Sequence, residues 1–355
     1  MMPGVARKRS AGCLLAAALA ACALLVAPTS AQQDYAEQMQ NLAARHAGEM
    51  RGASRNDPDS ARREAMAQQM LHDMLKDVLA MLDYGSETAK EAAVGRLLQM
   101  AVETAQGSMF HPTTFRNAAM KAGVVPKLVA LMTSGSDYSR YLCAGALQAL
   151  ALDDPTTTLD NGHQAAICQS GAVPHLVAML RKGANAKAAG RTEGIYEMIQ
   201  TAAAGALGTL AESELCKRLI VQAGAIEPLV AIAMFGSDQM KLTAIGALDV
   251  LQYNSADVKA MVQKAGANSL LKGLTQYGSD VLRESAQDAL EGLNAQAVAL
   301  SQEDRVRGVK ELRLKHQDRR EQLMEQARIM YGGVQTPFKV TNPEARTQSV
   351  EYMLP

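Results

Sequence analysis

The sequence predicts an all-α chain built as a helical solenoid, and three observations carry that prediction. The first is the make-up of the core. Of 355 residues 48% are apolar but only 4% aromatic, with no Trp and 20 Met. Small apolar side chains at that density suit closely packed helices better than a sheet. The second is an internal repeat. Ala122-Gly-Val-Val-Pro-Lys-Leu-Val-Ala-Leu-Met132 returns as Ser170-Gly-Ala-Val-Pro-His-Leu-Val-Ala-Met-Leu180 and as Ala223-Gly-Ala-Ile-Glu-Pro-Leu-Val-Ala-Ile-Ala233. A weaker copy runs Ala265-Gly-Ala-Asn-Ser-Leu-Leu-Lys-Gly-Leu274. A second Gly follows the first by 12 residues in each copy: Gly123 to Gly135, Gly171 to Gly183, Gly224 to Gly236 and Gly266 to Gly278. The third is the stripe inside each copy, apolar at i, i+3, i+4 and i+7, which is the buried face of a helix. Units of about 42 to 53 residues with such stripes mark an α-solenoid.

The elements follow in chain order. Arg7-Lys8-Arg9, an apolar run from Ala11 to Ala27 and the small residues around Ala31 have the pattern of a secretory signal peptide over 1–31. An uncleaved signal anchor, an organelle presequence or a plain N-terminal helix are the alternatives. Residues 32–73 form a polar, helix-compatible arm interrupted at Asn56-Asp57-Pro58. The solenoid is expected over 74–293. Within it a Gly-Ser-Asp step should end one helix and open the next, with Gly taking a left-handed turn and Ser or Asp capping. Ten residues after the second Gly comes Gly145-Ala-Leu, Gly246-Ala-Leu or Asp288-Ala-Leu, opening another buried stripe. In the second copy this block is Gly205-Ala-Leu, 22 residues on, so that copy carries a 12-residue insertion. A degenerate first copy keeps Gly85-Ser86-Glu87 and Gly95-Arg96-Leu97. A short helix before each Ala-Gly, such as Asp257 to Lys264, completes three helices per unit. Residues 294–330 read as a charged, largely solvated helix that alternatively folds back onto the array, and 331–355 as a flexible tail.

The series Ala-Gly-Ala-Ile-x-Pro-Leu-Val, Gly-Ser-Asp and Gly-Ala-Leu resembles the armadillo repeat over about 220 residues. The resemblance implies a right-handed superhelix of about five helix triplets whose concave face binds other proteins. Armadillo proteins that clamp extended peptides are similar to one another in a Trp and, four residues later, an Asn on the third helix of each repeat. Here the aligned positions are Gly95, Gly145, Gly205, Gly246 and Asp288, then Gln99, Ala149, Thr209, Val250 and Gly292. Both arrays are missing, which argues against clamping of that kind. The glycines serve either close helix packing or a shallow groove open to a partner helix. Glu91, Gln99, Tyr138, Tyr141, Thr209 and Asp288 are the candidate partner-binding residues of the concave face. Lys182, Lys187 and Arg191, in the basic insertion, form a candidate binding loop. Acid–base pairs at i, i+3 (Glu87/Lys90, Asp137/Arg140, Asp238/Lys241, Asp280/Arg283) fit a stiffening ladder at helix starts.

Function classes narrow accordingly. With 36 Lys+Arg against 36 Asp+Glu, the chain has no basic excess for coating nucleic acid. The six His include no i, i+4 pair, and no nucleophile elbow, phosphate-binding loop or dinucleotide fingerprint occurs. His163 and Cys168, five apart, are the nearest approach to a nucleophile pair. Cys143 reads as a small core residue. Removal of the leader would leave 33 basic and 36 acidic residues and three cysteines, Cys143, Cys168 and Cys216. An odd number of scattered thiols leads to the expectation that helix packing, not disulfides, holds the array. No Asn-X-Ser/Thr sequon occurs, so lumenal passage would leave the surface free of N-glycans. The expected protein is a non-enzymatic, cofactor-free scaffold or adaptor of the secretory pathway or another lumen. It engages a protein partner, with no nucleic acid and no membrane insertion once the signal is cleaved. The alternatives are a nucleotide-exchange factor for a lumenal Hsp70, which one armadillo family resembles in its signal peptide and helical arm, and a structural subunit of a large organelle assembly.

Overall fold

In a computed structural model, residues 60–105, 112–152, 162–188, 194–298 and 300–330 are described, and every regular element among them is a helix. The leader, most of the arm, Arg191 and the tail lie outside those residues. The array opens with a pair, α1 (Ser60–Tyr84) and α2 (Glu87–Ala105). The expected start of the solenoid at residue 74 falls inside α1, which is continuous and buries Leu71, Leu75 and Val78. Four triplets follow. They are α3 (Pro112–Lys121), α4 (Val124–Ser134) and α5 (Asp137–Ala151); α6 (His163–Gln169), α7 (Ala172–Ala188) and α8 (Gly194–Leu210); α9 (Glu214–Gln222), α10 (Ile226–Phe235) and α11 (Asp238–Gln252); α12 (Ala256–Lys264), α13 (Ala267–Tyr277) and α14 (Asp280–Asn294). A long helix, α15 (Gln302–Met330), closes the described chain.

The apolar stripes do what their spacing dictates. Leu128 and Leu131 of α4, Leu176, Val177 and Leu180 of α7, and Leu229, Val230 and Ala233 of α10 are buried in one continuous core. Third helices stack in sequence, α2 on α5, α5 on α8, α8 on α11 and α11 on α14. Stacking this close needs small residues: a Cβ on Gly208 would lie 3.2 Å from Ala247. Buried lysines finish the third helices. The Lys217 ammonium donates to the Tyr253 carbonyl (3.4 Å) past the end of α11, and Lys259 donates to Ala295 (2.6 Å) past α14. Each supplies a donor to a carbonyl that the helix itself leaves unpaired. Burial lowers the Lys259 pKa from its ordinary value.

Three expectations are corrected. The left-handed glycines are the first of each pair, Gly123, Gly171, Gly224 and Gly266, at φ +73 to +91°. The second, Gly135, Gly236 and Gly278, is extended with φ between −81 and −74°. Glycine is required there by space: a Cβ would press on the carbonyl oxygen four residues back at 2.6–2.7 Å. Gly183 ends nothing, because α7 runs on to Ala188. The third correction concerns sulfur. Cys168 of α6 and Cys216 of α9 form a disulfide joining two neighbouring triplets, while Cys143 remains a free, buried thiol. An odd count forbids pairing every cysteine, but not pairing two. Closing 48 residues in this way contributes about 4 kcal/mol in the chain-entropy account.

Candidate functional site

The site is the third-helix face, and α15 lies on its C-terminal half against α11 and α14. This overturns the solvated-helix reading of 294–330 and matches the alternative in which that segment folds back. Val309, Lys310, Arg313, His316, Gln317 and Arg319 are buried. Arg313 donates to both carboxylate oxygens of Glu212, each at 3.0 Å, with side chains 10% and 5% exposed. His316 Nε2 lies 2.9 Å from Asp249 Oδ2, and its Nδ1 is 3.5 Å from the Ser285 hydroxyl. Arg319 and Lys315 both pair with Asp288. Arg313, His316 and Arg319, spaced i, i+3 and i+6, thus meet acids associated with three successive triplets. Burial pushes the Asp288 pKa up, but the hydrogen bonds from Lys315 and Arg319 outweigh it and hold the carboxyl below its ordinary range.

The helix comes this close because side chains are missing on both surfaces. An added Cβ on Gly246 would stand 3.2 Å from the His316 ring, and one on Gly308 would collide with the Tyr253 hydroxyl. Elsewhere the same register serves packing between triplets. Gly205 faces Gln148, with Oε1 2.9 Å from an added Cβ, and Gly145 faces Leu98 at 3.5 Å. Close packing thus accounts for Gly145 and Gly205, while Gly246 admits a helix of the same chain. After α14 the chain is held at Val298 by Asn254, which accepts the Val298 N–H (2.8 Å) and donates to the Val298 carbonyl (2.9 Å).

The candidate residues divide. Asp288 is an anchor of α15. Glu91 accepts from the Ser136 hydroxyl (2.6 Å) and the Ser139 hydroxyl (3.2 Å), so it caps the next third helix. Thr209 is buried, and its hydroxyl donates to the Gly205 carbonyl (3.1 Å). Tyr141 is buried and Tyr138 half-buried, with ring centroids 6.0 Å apart. Gln99 is half-buried on α2. Lys182 is exposed and pairs with Asp137, while Lys187 falls in the last turn of α7. The ladder acids act as expected in part: Asp137 pairs with Arg140 (2.6 Å), Asp238 with Lys241 (3.8 Å) and Asp280 with Arg283. Glu87 instead accepts the Ser136 N–H (2.7 Å) and the Ser139 hydroxyl (2.9 Å), which lower its pKa. The acids Glu212 and Asp249 were missed. Glu212 sits in the turn after α8, and Asp249 falls one residue before the Asn-aligned Val250, so neither occupies a position of the Trp or Asn arrays.

No nucleophile pair forms. Cys168 is in the disulfide, and His163 Nε2 lies 2.8 Å from Asn117 Oδ1. Burial raises the pKa of the remaining Cys143 thiol. Among the described residues no three His, Cys, Asp or Glu side chains gather for a metal. No single described helix is long and apolar enough to cross a membrane.

No protein-family model matches the chain, and no curated protein matches it. Solved structures do. A designed armadillo repeat protein in complex with the peptide (KR)4 aligns at TM-score 0.51 and 20% identity, covering 67% of this chain and 96% of its own. A computationally designed armadillo repeat protein for modular peptide recognition aligns at 0.51 and 21%, with the same coverage. A third designed armadillo repeat protein gives 0.50 and 20%. The chain has an armadillo-type repeat fold, an all-α solenoid.

Proposed function

We propose that this chain is a non-enzymatic protein-interaction scaffold whose third-helix face takes a basic helical segment, with α15 holding that place in cis. The observation that carries the reading is the seating of Arg313, His316 and Arg319 on Glu212, Asp249 and Asp288. A solvent-exposed helix has no need of three partnered acids at its contact face. That a designed armadillo protein is in complex with a (KR)4 peptide supports a basic occupant on this fold. The working compartment in this reading is lumenal or extracellular. The leader pattern of 1–31 and the Cys168–Cys216 bond support it, since disulfides persist where the medium is oxidising.

Truncation after Leu293 tests the first part. The shortened chain should bind a synthetic 302–330 peptide in trans, and a peptide with Arg313 and Arg319 replaced by Glu should not bind. Indifference to that replacement would sink the reading. N-terminal sequencing of the secreted or lumenal form tests the second part, and an intact Met1 in a cytosolic fraction would count against it.

A further inference from the structure

We propose that a second surface, the cleft between the third and fourth triplets, binds a partner segment presenting a carboxylate beside an apolar side chain. The cleft lies where second helices turn into third helices and encloses about 430 Å3. Leu270, Leu274 and Leu282 line it with Tyr277, whose side chain is 87% exposed; Lys241 and Asp238 stand at its wall. Phe235, at the repeat position of Tyr277 one unit earlier, is 63% exposed, and Met234 beside it 42%. In a chain with 13 aromatic residues, two such exposed rings on neighbouring turns form a notable apolar surface.

The first junction of the array shows what fills the equivalent place. There Glu87 accepts the Ser136 N–H and the Ser139 hydroxyl, and Glu91 accepts the Ser136 hydroxyl. In repeat register these positions become Asp238, Leu242, Ser279 and Leu282 at the last junction. Asp238 is one methylene shorter than Glu87 and pairs with Lys241, and Leu242 offers no acceptor. Ser279 makes no cap bond to α14, and its Oγ is shielded from solvent without a partner. Of the donors that a carboxylate serves at the first junction, the last keeps those of Ser279 beside an open cleft, its hydroxyl without a partner, while Leu282 replaces the Ser139 hydroxyl. Lys241 and the start of α14 favour an anion. Asp238 and the exposed Asp280 oppose one, each with its own cation, Lys241 and Arg283. The leucine lining calls for an apolar neighbour next to the carboxylate. This occupant is opposite in charge to that of the groove, and the site stands whether or not the groove binds in trans.

The test titrates the full chain into a fluorescein-labelled, end-blocked Leu-Glu-Leu-Leu peptide and reads anisotropy. Saturable binding is expected, about tenfold weaker for Leu-Gln-Leu-Leu and weaker still for Leu-Lys-Leu-Leu. Ser279→Ala and Lys241→Gln should each weaken it, and Asp238→Asn should strengthen it. Gly273 lines the cleft, and a Cβ added there meets nothing within 4 Å. Gly273→Phe should therefore plug the site and abolish binding with helical content intact. Equal affinity for the Glu and Lys peptides, binding that survives Gly273→Phe, or no saturation at millimolar protein would each overturn the proposal.

Discussion

The first and last junctions of the third-helix stack are built on one plan and completed by different means. Between α2 and α5 the polar groups are satisfied inside the repeat: Glu87 and Glu91 close over Ser136 and Ser139. Between α11 and α14 those four positions are Asp238, Leu242, Ser279 and Leu282, and the acids have moved to the groove as Asp249 and Asp288. The His316 ring and the Arg319 guanidinium of α15, outside the repeats, complete them. The difference teaches that a solenoid of near-identical units distributes its dependence unevenly. One end is self-contained, and the other is finished by a helix from outside the repeats.

The largest expected effect comes from Arg313→Ala. Breaking a buried pair costs about 3–5 kcal/mol when the remaining charge stays buried. Here undocking returns Glu212 to water, so the loss stops at the docking free energy of α15. Hydrogen exchange should show α15 amides deprotected and α2–α5 amides unchanged; equal deprotection of both ends would break the comparison. Next comes Gly308→Ala, where the Tyr253 hydroxyl must move aside. It should cost docking about 1–3 kcal/mol although Ala is the better helix former, read as loss of α15 protection. Glu87→Ala should cost about 1 kcal/mol, since the carboxylate is largely exposed and its bonds are screened. The melting temperature should fall by a few degrees without release of α15.

Acid gives a smaller effect. Asp288 is depressed in the folded state, so its contribution is present above the unfolded carboxylate value, about 3.9, and fades as pH falls through the folded one. Docking of α15, followed by exchange or by protease access, should hold at pH 5 and weaken below about pH 4. Release near pH 6 would contradict the assignment to Asp288.

How much of this was legible in the sequence depends on the range of the interaction. The helices were, because stripe spacing and glycine intervals are local and repeated four times. The left-handed turn was assigned to the wrong glycine of each pair, because a left-handed φ and a carbonyl pressed against a missing Cβ select the same residue. The groove occupant was legible only as an alternative: Arg313 and Glu212 are 101 residues apart, and nothing near either names the other. The disulfide escaped for a related reason. Cys168 precedes its Gly171 by three residues and Cys216 precedes Gly224 by eight, so the pair does not share a repeat position. Of the candidate face, Asp288 proved an anchor, whereas Glu91 and Thr209 are committed to the solenoid itself.

The Cys168–Cys216 bond also bears on how the array would behave under load. A solenoid pulled from its ends gives way unit by unit, like a spring uncoiling. The bond removes a sequence separation of 48 from the extensible length, roughly 160 Å of contour. In a single-molecule stretching trace the oxidised chain should run out of slack that much sooner than the reduced one. The middle of the array would then carry tension as a fixed link, leaving the two dissimilar ends to yield independently.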